Sequence, residues 1–173
     1  MAATYNLISS YTVVGSSTSS VVMNTIPSTY DHLIINISSR ANYSGVYHLN
    51  TLVQTNSQST SSAYSGRFAY NSSASSVATQ TGDPTGIWIS GANGSSTNYF
   101  SNNWSFIGNY NSSAGPSSRP YVGVQEAIGG ALVIFGKSQP GTAAAVTSLT
   151  FKELSSNNFV EGSTFYLYGI KNT

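Results

Sequence analysis

His32 and His48 are the two side chains of this 173-residue chain that titrate near neutrality at ordinary pKa values. Asp31 precedes His32 at the start of an apolar run, so their side chains point to opposite faces once a strand begins. That arrangement does not suit a relay of nucleophile, base and orienting group. It reads as a turn aspartate followed by a strand residue. Glu126, Glu153 and Glu161 are the next candidates, as the acid and base of glycoside hydrolysis. Such a pair needs a fixed carboxylate separation, and isolated glutamates carry no sign of one. There is no His-X-X-X-His spacing and no Asp-rich calcium loop. With no cysteine, thiolate metal sites and disulfides are excluded as well. The expectation is a non-enzymatic protein without catalytic residues, cofactor or metal.

The composition points the same way. Charged side chains are 6% of the chain, against about a quarter in an average globular domain. Arg40, Arg67, Arg119, Lys137, Lys152 and Lys171 are scattered singly, whereas a nucleic-acid binder clusters its cations along a groove or face. Direct nucleic-acid binding is therefore not expected. Hydrophobic residues at 39% and aromatics at 12% suffice for a core, and a disordered chain would be poor in both. A chain of this length buries roughly two-thirds of its unfolded surface in one core, which predicts a single domain over residues 1–173. The start lacks the basic residues and apolar run of a signal peptide, and no apolar stretch has the length of a membrane span. The expectation is a product made in the cytoplasm with no membrane partner. Asn-X-Ser sequons at Asn36, Asn42, Asn71, Asn93, Asn103 and Asn111 follow from the abundance of Asn and Ser.

Short apolar or alternating runs separated by Ser, Gly, Asn and Pro predict an all-β sandwich or barrel. The clearest strands are Tyr5 to Val14, Ser20 to Ile26, His32 to Arg40, Trp104 to Tyr110, Pro120 to Ile128, Ala131 to Gly136, Val146 to Glu153 and Thr164 to Ile170. Leu33, Ile35 and Ile37 share one face. Phe165 and Leu167 oppose Tyr166 and Tyr168, so both faces of the last strand read as covered. The middle, Tyr43 to Ser101, predicts weaker strands near Val46 to Val53, Gly66 to Tyr70 and Gly86 to Ile89. Gly82-Asp83-Pro84, Ala114-Gly115-Pro116 and Gln139-Pro140-Gly141 mark turns. Gly141 to Val146 offers at most one helical turn.

Tyrosine supplies rigid contact area with a hydrogen-bonding tip, which suits interfaces and sugar faces alike. Tyr64, Tyr70 and Tyr99, with Phe100, lie in or beside the polar middle and are candidate interface residues. Arg67-Phe68-Ala69-Tyr70 is the expected contact strand, because an arginine beside aromatics is a common anchor. The alternative is a buried strand with Arg67 capping its edge.

Four stretches resemble a family of small virion proteins of tailed bacteriophages, particularly those of marine and cyanobacterial hosts. They are Met1 to Ser10, Ile26-Pro27-Ser28-Thr29-Tyr30-Asp31-His32-Leu33-Ile34-Ile35, Asn103 to Tyr110, and the closing run from Asn158-Phe159 through Gly162-Ser163 to Leu167-Tyr168-Gly169-Ile170. The resemblance implies a jelly-roll-like antiparallel β-sandwich used as a building block of the particle, and no catalytic residues. The family pattern occurs on heads and on tail appendages. A compact domain without coiled coil or fibre repeat favours a capsid decoration (cement) protein on the outer virion surface. Its partners would be the major capsid protein and copies of itself, as a homotrimer. The alternative is a tail-fibre or receptor-binding module that grips a host glycan through Tyr64 and Tyr70.

Overall fold

The computed structural model describes residues 4–43, 48–58, 64–73, 76–81, 87–92, 99–115, 119–127, 130–140, 144–153 and 157–172. These form twelve β-strands and no helix. They are β1 (Thr4–Thr12), β2 (Ser20–Met23), β3 (His32–Ala41), β4 (His48–Thr55), β5 (Tyr64–Ser73), β6 (Ser76–Thr81), β7 (Ile87–Ala92), β8 (Ser101–Gly108), β9 (Arg119–Ala127), β10 (Gly130–Pro140), β11 (Leu149–Glu153) and β12 (Thr164–Lys171).

One sheet runs β2-β11-β4-β7 and the other β1-β12-β3-β8-β9-β10-β5-β6. They meet at a corner where Arg40 and Ala41, the last residues of β3, pair in parallel with Gly91 and Ala92 of β7. Every other strand pairing among the described residues is antiparallel. The chain passes from sheet to sheet at eight of the eleven connections between these strands, β5–β6, β8–β9 and β9–β10 being the exceptions. Its pairs are nested: β1 with β12, β2 with β11, β3 with β8, β4 with β7 and β5 with β6. A long antiparallel hairpin wrapped around itself gives this nesting, and the result is a jelly-roll-like β-sandwich. The β9–β10 hairpin is an insertion between β8 and β5.

The core follows from strand alternation. Leu33, Ile35 and Ile37 of β3, Ile107 of β8, and Phe165 and Leu167 of β12 point inward and are fully buried. Facing them are Val21 and Met23 of β2, Val53 of β4, and Leu149 and Phe151 of β11. Phe165 is the hinge of the packing, with its ring centroid 5.4 Å from Phe151 and 4.9 Å, edge-on, from Phe159. Such aromatic contacts add to the gain from burial alone. A bulge between Leu7 and Ser9 lets Ile8 of the otherwise exposed β1 pack against this core.

Loops close the two ends. At one, the Phe159 N–H donates to the Thr18 carbonyl (2.8 Å) and the Thr18 N–H to the Phe159 carbonyl (3.0 Å). Val160 N–H donates to the Arg40 carbonyl (2.8 Å), so the segment before β12 ties β3 to the approach to β2. At the other end, the buried Tyr110 hydroxyl donates to the Pro27 carbonyl and accepts the Tyr30 N–H at 3.4 Å. The Ile26–Asp31 corner is thereby pinned to the end of β8. Asn56, with φ of 52°, donates from Nδ2 to the Ala145 carbonyl (2.7 Å) and accepts the Thr147 N–H at Oδ1 (2.8 Å).

Burial raises the Tyr110 phenol above the ordinary tyrosine range, although the bond from the Tyr30 backbone works the other way. The folded state therefore holds the neutral phenol. Its contribution is whole below about pH 10, the unfolded value, and is lost as pH rises through the folded value. Tyr110→Phe should cost about 1–3 kcal/mol at neutral pH, because the Pro27 carbonyl loses its donor. The gap to wild type should narrow above roughly pH 10 as the wild type loses this term. Denaturant melts at pH 7 and pH 11 check both statements, and a pH-independent gap would contradict the assignment.

Several expectations change. Gln139 and Pro140, read as a turn, are the end of β10, and the strand expected from Trp104 to Tyr110 runs Ser101–Gly108. Val146 to Glu153 narrows to β11 at Leu149, because the preceding residues serve as a clamp: Val146 N–H donates to the Tyr110 carbonyl (2.7 Å) and Ile26 N–H to the Thr147 carbonyl (3.0 Å). The second strand stops at Met23, short of Ile26, with Thr25 at a φ of 58°. The outward face of β12 is open: Tyr166 and Tyr168 are only half-buried. Of the predicted turns, Gly82-Asp83-Pro84 lies outside the described residues, as do Pro116 and Gly141.

Candidate functional site

The groups singled out for chemistry are spoken for or dispersed. Asn109 N–H donates to His32 Nδ1 at 3.2 Å, and His32 Nε2 lies 2.9 Å from the Asn172 side-chain amide. Asp31 Oδ2 accepts the Asn172 backbone N–H at 2.6 Å. Both residues thus fasten the chain's last strand to the corner before β3. His48 opens β4, in register with Gly91. Glu126 lies on β9, Glu153 ends β11, and Glu161 is exposed in the turn before β12. Glu153 is buried and its Oε1 accepts the Thr51 hydroxyl at 2.8 Å. A depression of about 330 Å³ beside it is lined by Ser19, Ser20, Lys152, Glu153 and Asn157. Among the described residues no three His, Asp or Glu side chains gather where a metal ion could be held. No helix among them is long and apolar enough to cross a membrane.

The candidate interface residues fall in two places. Tyr64, Arg67, Phe68 and Tyr70 lie on β5, between β10 and β6 and one strand in from the sheet margin. Tyr99, 41% exposed, and the half-buried Phe100 precede β8. Gly162 (φ 87°) sits against the Phe100 ring, where a Cβ would come within 3.2 Å of Cζ. Strands β9 and β10 separate β8 from β5, so the six residues do not share one strand neighbourhood.

A third place also carries exposed apolar surface. On the outward face of β1-β12-β3-β8, register aligns Leu7, Tyr168, Ile34 and Phe106 in one row across the strands. The next row is Ser10, Tyr166, Asn36 and Trp104. Tyr5 is 61% exposed, Leu7 55% and Trp104 42%. The rings of Tyr166 and Tyr168 are near-parallel, 6.3 Å apart and 22° between planes. The His32 and Phe106 rings meet at 5.0 Å. None of these positions carries a carboxylate, an amine or a guanidinium. The alternation in Trp104-Ser105-Phe106 and Tyr166-Leu167-Tyr168 was the signal available in the sequence. What it lacked was the register that sets these strands side by side.

No protein-family model, no curated protein and no solved structure matches the chain.

Proposed function

We propose that the chain is a non-enzymatic structural protein of a tailed-bacteriophage virion, most simply a decoration or cement module on the outer surface of the head. The observation that carries this reading is the convergence of the four stretches that resemble such proteins. They lie far apart in sequence, yet they supply β1, β12, β3 and β8, which are consecutive neighbours in one sheet. A jelly-roll-like sandwich with 6% charged residues is also suited to close packing among like copies, because little repulsion opposes it. Its partners are the major capsid protein and further copies of itself, a trimer being the arrangement expected, and docking would stabilise it by mass action. Contacts through Tyr64, Arg67, Phe68 and Tyr70 on β5 belong to this proposal. A second reading, a tail-associated receptor-binding module for a host glycan, draws support from the exposed aromatic face of β1-β12-β3-β8. Mass spectrometry of purified virions tests the first reading. The chain should be present at a copy number comparable with the capsid lattice, and its absence from particles would overturn the assignment.

A further inference from the structure

We infer that the outward face of β1-β12-β3-β8 is a platform for a neutral, linear saccharide, with Trp104, Tyr166 and Tyr168 as its stacking surfaces and Asn36 as its central hydrogen-bonding group. The inference gives the sugar chemistry of the second reading a site, and it requires no particular location on the particle.

The site's chemistry is written across its rows. Trp104 and Tyr166 both lie in register with Asn36, one on either side. Strand spacing puts their backbones about 10 Å apart, with the amide midway. A sugar ring offers an apolar C–H face to an aromatic ring and hydroxyls at its edge. Linked sugar rings repeat about every 5 Å, so two aromatics over this span match the first and third rings of a linear saccharide, with hydroxyls of the ring between them toward Asn36. A surface evolved for another protein would instead place its apolar residues at the centre and its polar ones at the rim. Ligand sites take orientation from a few well-placed polar groups among apolar ones, which is the pattern here.

The amides supply an independent observation. Asn56, Asn111 and Asn158 commit their side chains to bonds within the chain: Asn56 to Ala145, Asn111 to the carbonyls of Ser28 and Tyr30, Asn158 to Ser17. Asn36 and Asn102, both exposed on the aromatic face, make no such bond among the described residues. Their donors and acceptors are open to a ligand. The two rows through Ile34 and Asn36 hold no Lys, Arg, Asp or Glu, and Arg40 stands on the same side of β3 four residues beyond Asn36, past the last pairing of β3 with β12 and β8; the rows therefore select a neutral sugar, since an acidic polysaccharide calls for cations along its length.

Titration of the intact protein with soluble cello-, chito- and laminari-oligosaccharides, followed by tryptophan fluorescence and calorimetry, tests this. At least one series should bind, more tightly as the oligomer lengthens. Trp104→Ala should abolish binding, Trp104→Phe should retain most of it, and Asn36→Ala should weaken it about tenfold, the worth of one good hydrogen bond. The melting temperature of each variant, expected to stay near wild type because the positions are exposed, separates lost binding from lost fold. Binding to none of the series, or binding unchanged in Trp104→Ala, would overturn the inference. So would light scattering that shows the wild type self-associating and Trp104→Lys monomeric, because the face would then be covered by a second copy.

Discussion

Phe165→Ala should lower folding stability by about 3–5 kcal/mol, the largest loss expected from a single substitution in this chain. Phe165 is fully buried on the inward face of β12, in contact with Phe151 of the opposing sheet and with Phe159 of the closing strap. Truncation removes the transfer energy of the ring. It also leaves a cavity at the place where both sheets and the strap converge, where relaxation of one element strains the others. Since domains hold only about 5–15 kcal/mol in total, the variant would keep a fraction of its stability and melt roughly 10 °C or more below wild type. Phe165→Leu retains most of the volume and should recover more than half of the loss. Chemical denaturation of the three proteins checks the order. Equal stability of wild type and Phe165→Ala would mean that the two sheets do not pack through this ring.

Gly169→Ala should cost about 2–3 kcal/mol although it adds a single methyl group. Gly169 lies on β12 in register with Leu33, and the ring of Tyr30 rests directly over it. A Cβ there would stand 2.3 Å from Tyr30 Cγ, 2.4 Å from Cδ2 and 2.6 Å from Cδ1. These atoms are at the near end of the side chain, so no small rotation removes the clash. Tyr30 must leave its seat against the core or the corner must move, and the Tyr110 hydroxyl holds that corner through Pro27 and the Tyr30 N–H. The two sites should therefore be strongly coupled. In a Tyr30→Ala background the same Gly169→Ala change should cost less than about 1 kcal/mol, a non-additivity that a double-mutant cycle measures. Additive losses would place the Tyr30 ring elsewhere.

Much of this architecture was legible where apolar residues alternate without interruption. Leu33-Ile34-Ile35-Asn36-Ile37 marks β3 and its buried face, and the edges of β3 and β12 match the pattern to within a residue. β6 was not legible: Ser76 to Thr81 holds only Val77 and Ala78 as apolar residues, and its place comes from the backbone ladder to β5. The clamp before β11 was hidden for a different reason. Val146 looks like a strand residue, but its N–H is taken by the Tyr110 carbonyl from a loop more than thirty positions earlier, a long-range bond that local pattern does not reveal. The aromatic face was half-legible. Alternation put Tyr166 and Tyr168 on one side, yet whether that side is covered depends on which strands flank β12. The pairing of β12 with β1 and β3 leaves it open. The expected contact residues illustrate the same limit, since Tyr70 and Tyr99 stand on opposite sides of an inserted hairpin. Composition supplied the charge poverty, and topology alone decided where the uncharged aromatics gather.

Cryo-EM of purified particles is the most direct measurement of the central claim, that this jelly-roll-like sandwich is a structural module of the virion head. Regular density over the head lattice that accommodates the two sheets, with the β9–β10 hairpin inserted between β8 and β5, is the required result. Density confined to the tail or to a single vertex would contradict the head assignment, and no density anywhere on the particle would contradict the virion role itself.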